Sequence, residues 1–137
     1  MKKITLLILL LTASLGYSQV TDLLQDFESG GLGATFGGLT SATVVADPAS
    51  GGTNGMVAEL ITSTAGEVWQ GVNINISSNV ELTTQRTMTV DVYSTSAVSI
   101  LVKVTASTDG GPDSSTEVSH TGSGWETLTA KIGRAHV

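Results

Sequence analysis

Residues 86–107 read RTMTVDVYSTSAVSILVKVTAS. Met88, Val90 and Val92 alternate with Thr87, Thr89, Asp91 and Tyr93, and Val98, Ile100, Val102 and Val104 alternate with Ser99, Leu101, Lys103 and Thr105. Successive side chains of a β-strand point to opposite faces, so each run places one apolar row on one side. The link Ser94-Thr95-Ser96-Ala97 is short and polar, which predicts a hairpin joining the two strands. Two such strands cannot bury their apolar rows alone. Something else in the chain must cover Val90, Val92, Ile100 and Val102.

Working outward, the rest of the sequence reads as further strands. Residues 23–28 are a first candidate, ended by Ser29-Gly30-Gly31-Leu32-Gly33. Residues 43–46 are β-branched and precede the turn-rich Asp47-Pro48-Ala49-Ser50-Gly51-Gly52. Residues 56–62 alternate weakly. Residues 67–76 alternate more strongly, with Val68, Val72 and Ile74 expected in the core and Trp69, Asn73 and Asn75 on the other face, closed by Ser77-Ser78-Asn79. After a surface turn at residues 109–113, residues 115–120 and 125–130 form a last expected pair around Thr121-Gly122-Ser123-Gly124. No helical period follows the first 18 residues. The spacing therefore predicts an all-β fold, a two-sheet antiparallel sandwich.

The 137 residues suit one domain. Residues 1–18 have the form of a secretory signal peptide: Lys2-Lys3, an apolar run shorter than the ~20 residues of a spanning helix, then Gly16-Tyr17-Ser18. Export to the medium or cell surface follows, with no membrane insertion after cleavage. The last six residues, Ile132-Gly133-Arg134-Ala135-His136-Val137, resemble a translated sequencing-adapter oligonucleotide. On that reading residues 132–137 are a non-native tail, and residues 19–131 are a sandwich module incomplete at its C-terminus. Without Lys2, Lys3 and Arg134, three basic residues stand against 12 acidic ones, which argues against nucleic acid or anionic membrane as partner. The absence of cysteine excludes a disulfide framework and a thiolate metal site.

No catalytic constellation stands out. His120, beside Ser119 and Thr121, reads as a solvated strand residue, and no nucleophile elbow accompanies it. Most of the acids lie at turns or singly on polar strand faces, so no carboxylate pair is marked for glycoside cleavage. Asp26 and Glu28 would project to one side of the first strand, a start for an oxygen-ligated cation, yet calcium takes six to eight oxygens. The aromatic residues say more. Sugar rings stack their apolar faces on Trp and Tyr while amides and carboxylates bind the hydroxyls at the rim. Trp69 with Asn73 and Asn75, and Tyr93 with Asp91, have that chemistry; the competing role for Trp69 is core packing. Trp125 is expected in the core or sealing an edge. The sequon Asn75-Ile76-Ser77 reads as a chance match.

Five short motifs then occur in order: Asp26-Phe27-Glu28-Ser29-Gly30-Gly31-Leu32-Gly33, Val44-Val45-Ala46-Asp47-Pro48, Val57-Ala58-Glu59-Leu60, Trp69-Gln70-Gly71-Val72 and Gly124-Trp125-Glu126-Thr127-Leu128-Thr129. This series resembles the carbohydrate-binding, galactose-binding-like jelly-roll modules of secreted Bacteroidetes proteins, especially those of marine flavobacteria. The resemblance implies non-catalytic binding of polysaccharide by a module tethered to further domains. It also implies a structural calcium in which Glu28 joins oxygens from a closing strand. The family's later segments, including that closing strand, are missing here. Ligand contacts are expected from Trp69, Asn73 and Tyr93, and metal ligation from Glu28. Two rival readings remain: a structural or adhesive domain of a large surface protein, or the N-terminal fragment of a secreted glycoside hydrolase.

Overall fold

A computed structural model describes residues 22–76, 87–105 and 114–132. Residues 1–18, expected to be a signal peptide, the break at 77–79, the turn at 109–113 and residues 133–137 of the expected tail lie outside the described residues. The described chain is all-β and antiparallel, with eight strands: β1 Leu32–Phe36, β2 Ser41–Ala46, β3 Met56–Ile61, β4 Gly71–Ile74, β5 Thr87–Ser94, β6 Val98–Val104, β7 Ser114–His120 and β8 Gly124–Lys131.

The strands pair β1 with β4, β2 with β3, β5 with β8 and β6 with β7. This corrects two expectations. The strands of residues 86–107 form, but they are not partners in a hairpin, and β7 and β8 are not partners either. Instead, Thr87 faces Lys131, Ser94 faces Gly124, Val98 faces His120 and Val104 faces Ser114. One register thus runs through both pairs with no residue gained or lost. The unit is a single long ribbon, bent where residues 95–97 of one leg pass residues 121–123 of the other. The short polar link holds that bend: Ser94 Oγ donates to Ser96 O at 2.7 Å and accepts from Ser96 N at 3.1 Å. Alternation alone could not reveal this, because a short link between two strands serves a corner as well as a hairpin.

The N-terminal half repeats the plan. β2 and β3 pair from Ser41↔Ile61 to Ala46↔Met56, and β1 continues on β4 with Phe36↔Gly71 and Leu32↔Ile74, around a register irregularity between Leu32 and Thr35. Here the links are unequal. Residues 37–40 join β1 to β2, whereas the longer stretch 62–70 joins β3 to β4. The surplus forms a loop, and that loop carries Trp69.

Residues 23–28 are not a strand. The Gln25 and Asp26 side chains capture the local backbone, Oε1 of Gln25 accepting Phe27 N at 2.8 Å and Oδ1 of Asp26 accepting Glu28 N at 3.1 Å. Such side-chain bonds compete with ladder formation. Phe27 sits at φ 61°, which a strand does not allow. The first strand starts later, at Leu32, in a glycine-rich stretch expected to be a break. The expected strand at 67–76 contracts to β4, and Val68, expected in the core, is fully exposed.

Burial concentrates on β8 and the residue after it. Leu128, Ala130 and Ile132 alternate along one face and are the buried apolar residues among those described. Ile132, placed by the sequence in the tail, is wholly enclosed. Met88, Val90 and Val92 of β5 and Ile100, Val102 and Val104 of β6 are half-buried, while Thr87, Thr89, Asp91, Ser99, Leu101 and Lys103 face outward.

Candidate functional site

The loop at residues 62–70 is organised by one side chain. Gln70 Oε1 accepts from Ser63 N at 2.7 Å, and Gln70 Nε2 donates to Ser63 O at 2.7 Å and to Glu67 O at 2.9 Å. Glu67 N donates to Gly37 O at 2.8 Å, which ties the loop to the opposite link. At Gly37, where φ is +68°, a Cβ would stand 2.3 Å from Trp69 O, so only glycine permits this approach. Trp69 leaves the knot 59% exposed and stacks on Phe36 with centroids 6.4 Å apart and planes inclined by 24°. The Phe36 ring in turn lies over Gly71, whose missing side chain makes room for it. Two exposed rings are thereby fixed on backbone. Asn73, exposed on β4, stands by the irregularity in the β1–β4 register, where a Cβ on Gly33 would meet it at 3.2 Å.

Tyr93 is not part of this platform. It faces Trp125 across the β5–β8 pair, ring centroids 5.6 Å apart and tilted by 59°. Trp125 Nε1 donates to Asp47 Oδ1 at 3.0 Å and so joins β8 to the tip of the N-terminal ribbon. Asp47 is fully occupied: Oδ1 also accepts Ala49 N at 2.9 Å, and Oδ2 accepts both Asn54 N and Asn54 Nδ2 at 3.0 Å. The Ala49 amide is the chief influence holding the Asp47 carboxyl below its ordinary range, aided by Asn54 and Trp125 and opposed by partial burial. Beside this clasp lies an open depression of about 180 Å³, lined by Asn54, Asp91, Trp125, Glu126 and Thr127.

His120 corrects another expectation. It is buried, 2% exposed, and bridges the two arms of the C-terminal ribbon. Nε2 lies 3.1 Å from Val92 O and 2.9 Å from Gly124 O, while Nδ1 accepts Gly122 N at 2.9 Å. Two carbonyls at one nitrogen and a donor at the other place the proton on Nε2. The 3.5 Å between Nδ1 and Glu126 Oε1 is therefore no ion pair. Glu126 serves the same bend: it accepts from the Thr121 hydroxyl, from Thr121 N at 3.1 Å and from Ser123 Oγ at 2.9 Å. These bonds, the Thr121 hydroxyl first, hold its pKa at about 2, below the ordinary 4.5. A carboxyl depressed on folding stabilises fully above its unfolded pKa and loses that contribution as pH falls through the folded one. Stability should thus decline between pH 4.5 and about 2, a slope that Glu126→Gln flattens in pH-dependent urea melts.

Glu28 Oε1 accepts Met56 N at 2.7 Å and lies where a Cβ on Gly55 would stand. Among the described residues no group of three or more His, Cys, Asp or Glu side chains could hold a metal ion. Of the residues expected to meet a ligand, Trp69 and Asn73 thus belong to the β1–β4 side and Tyr93 to the Trp125 cluster. The sequence reading missed Phe36 and Gln70, as well as the tie from Asp47 to Trp125. An aromatic residue just ahead of Gly37-Gly38, and a glutamine next to Trp69, were the available signals.

No protein-family model, curated protein or solved structure matches this chain.

Proposed function

We propose that this chain is a non-catalytic carbohydrate-binding module of an exported protein, weakly holding a polysaccharide to localise an attached domain. The observation that carries this reading is the Trp69–Phe36 platform: two exposed stacked rings whose loop is knotted by Gln70 before any ligand arrives. A rigid aromatic face suits the apolar face of a pyranose, and preorganisation lowers the ordering cost of binding. Asn73 supplies an amide for hydroxyls on the same side of the molecule. Two ribbons, each folded so that its legs run through a bend, are the material of a jelly-roll sandwich, and we read the fold as one.

The test is affinity electrophoresis in gels of neutral and acidic glycans. Retardation by at least one glycan is expected. Trp69→Ala should weaken it about tenfold, the loss of roughly 1.5 kcal/mol of ring stacking. Because the indole is mostly exposed, the melting temperature should hardly change. Free migration in every gel, or retardation indifferent to Trp69→Ala, would reject the platform.

A further inference from the structure

We propose that Asn54 is a spontaneous deamidation site whose conversion releases the clasp between the two ribbons. Four asparagines occur in the sequence: Asn54, Asn73, Asn75 and Asn79. The last three precede Ile74, Ile76 and Val80, whose branched side chains crowd the following backbone nitrogen. Asn54 precedes Gly55, which has no side chain to shield its nitrogen. The site lies on the exposed tip of the β2–β3 ribbon. Gly55 N, the nucleophile, donates no hydrogen bond among the described residues.

The chemistry needs only water. Gly55 N loses its proton to solvent base and attacks Asn54 Cγ. The new N–C bond closes a five-membered imide as the bond from Cγ to Nδ2 breaks, and Nδ2 leaves as ammonia. Water then opens the imide at either carbonyl, giving an aspartyl or an isoaspartyl residue at position 54. The nitrogen that leaves is the one donating to Asp47 Oδ2 at 3.0 Å. A carboxylate takes its place beside the Asp47 carboxylate, so an attractive contact becomes a repulsive one. The isoaspartyl product also inserts a methylene into the backbone before Gly55 and Met56. There it disturbs Asp47 N→Gly55 O at 2.9 Å and Met56 N→Glu28 Oε1 at 2.7 Å. Asp47 Oδ1 is the acceptor of the Trp125 indole N–H. The reaction therefore loosens the N-terminal tip from β8 without touching the Trp69 platform.

Ageing the full chain at mildly alkaline pH tests this. Cleavage after glutamate separates residues 29–59, with Asn54, from residues 68–81, with the other three asparagines. The first peptide should gain one mass unit while the second stays unchanged. In a Trp69→Phe background Trp125 is the sole tryptophan, and its emission should shift to the red in step with conversion. Asn54→Asp should show the same shift without ageing, partly reversed by salt, which screens like charges. Equal mass gain in both peptides, or conversion at position 54 with unchanged Trp125 emission, would overturn the proposal.

Discussion

Gly122→Ala should lower the stability of this protein by about 3 kcal/mol or more, the sum of a strained backbone and an overlap that side-chain motion cannot relieve. Gly122 lies at φ +92°, and a Cβ there would stand 2.6 Å from Ser96 C and 2.7 Å from Ala97 N. Both are backbone atoms of the opposite leg. The two links of the C-terminal ribbon pass each other at the bend, and the glycine is the space between them. Gly124 supplies the comparison. Its φ of +100° is as unfavourable for alanine, yet the nearest atom to its Cβ would be a Tyr93 ring carbon at 3.9 Å. Gly124→Ala should therefore cost only the conformational part, about 1–2 kcal/mol. Urea titration of both variants measures the difference. Domains of this size have about 5–15 kcal/mol in total, so the larger loss is visible at once. Equal costs at the two positions would mean that the links do not touch.

The same bend shows what could be read from the chain and what could not. The alternation of Thr87, Met88, Thr89 and Val90 is a local property, and it marked β5 and β6 nearly to their ends. The partner of each strand is not local. Ser94-Thr95-Ser96-Ala97 has the composition of a hairpin turn, and only the far side of the ribbon, Gly122 and Gly124 included, shows that the chain turns a corner there. Residues 23–28 failed for the opposite reason. Their alternation was genuine, but Gln25 and Asp26 bound the backbone that a strand would have used. The candidate site divides in the same way. Trp69 was recognisable as a residue type suited to a sugar face, whereas its grouping with Phe36 follows from the unequal links of the N-terminal ribbon. Tyr93 was legible only as an aromatic residue on a strand; that it leans on Trp125 depends on the β5–β8 register.

His120→Leu should be comparably damaging, about 3 kcal/mol, because it removes three hydrogen bonds to part-buried backbone groups at once. The imidazole donates to Val92 O and Gly124 O and accepts from Gly122 N. Val92 belongs to β5, His120 to β7 and Gly124 to β8. One ring therefore ties three strands at the corner that Gly122 makes possible. Leucine fills much the same volume, so the loss reports the polar contacts and not an empty cavity. His120→Gln retains an amide donor and a carbonyl acceptor and should recover part of the stability. Urea melts rank the three proteins, and exchange of the Gly122 amide with solvent should accelerate in His120→Leu more than in His120→Gln. If leucine proved as stable as histidine, the hydrogen bonds of the imidazole would not be what holds the corner. The Trp69 platform sits on the other ribbon, so glycan retardation by the folded fraction should be the same in all three. A corner variant that lost binding while still folded would join the two ribbons more tightly than the Asp47–Trp125 contact can account for.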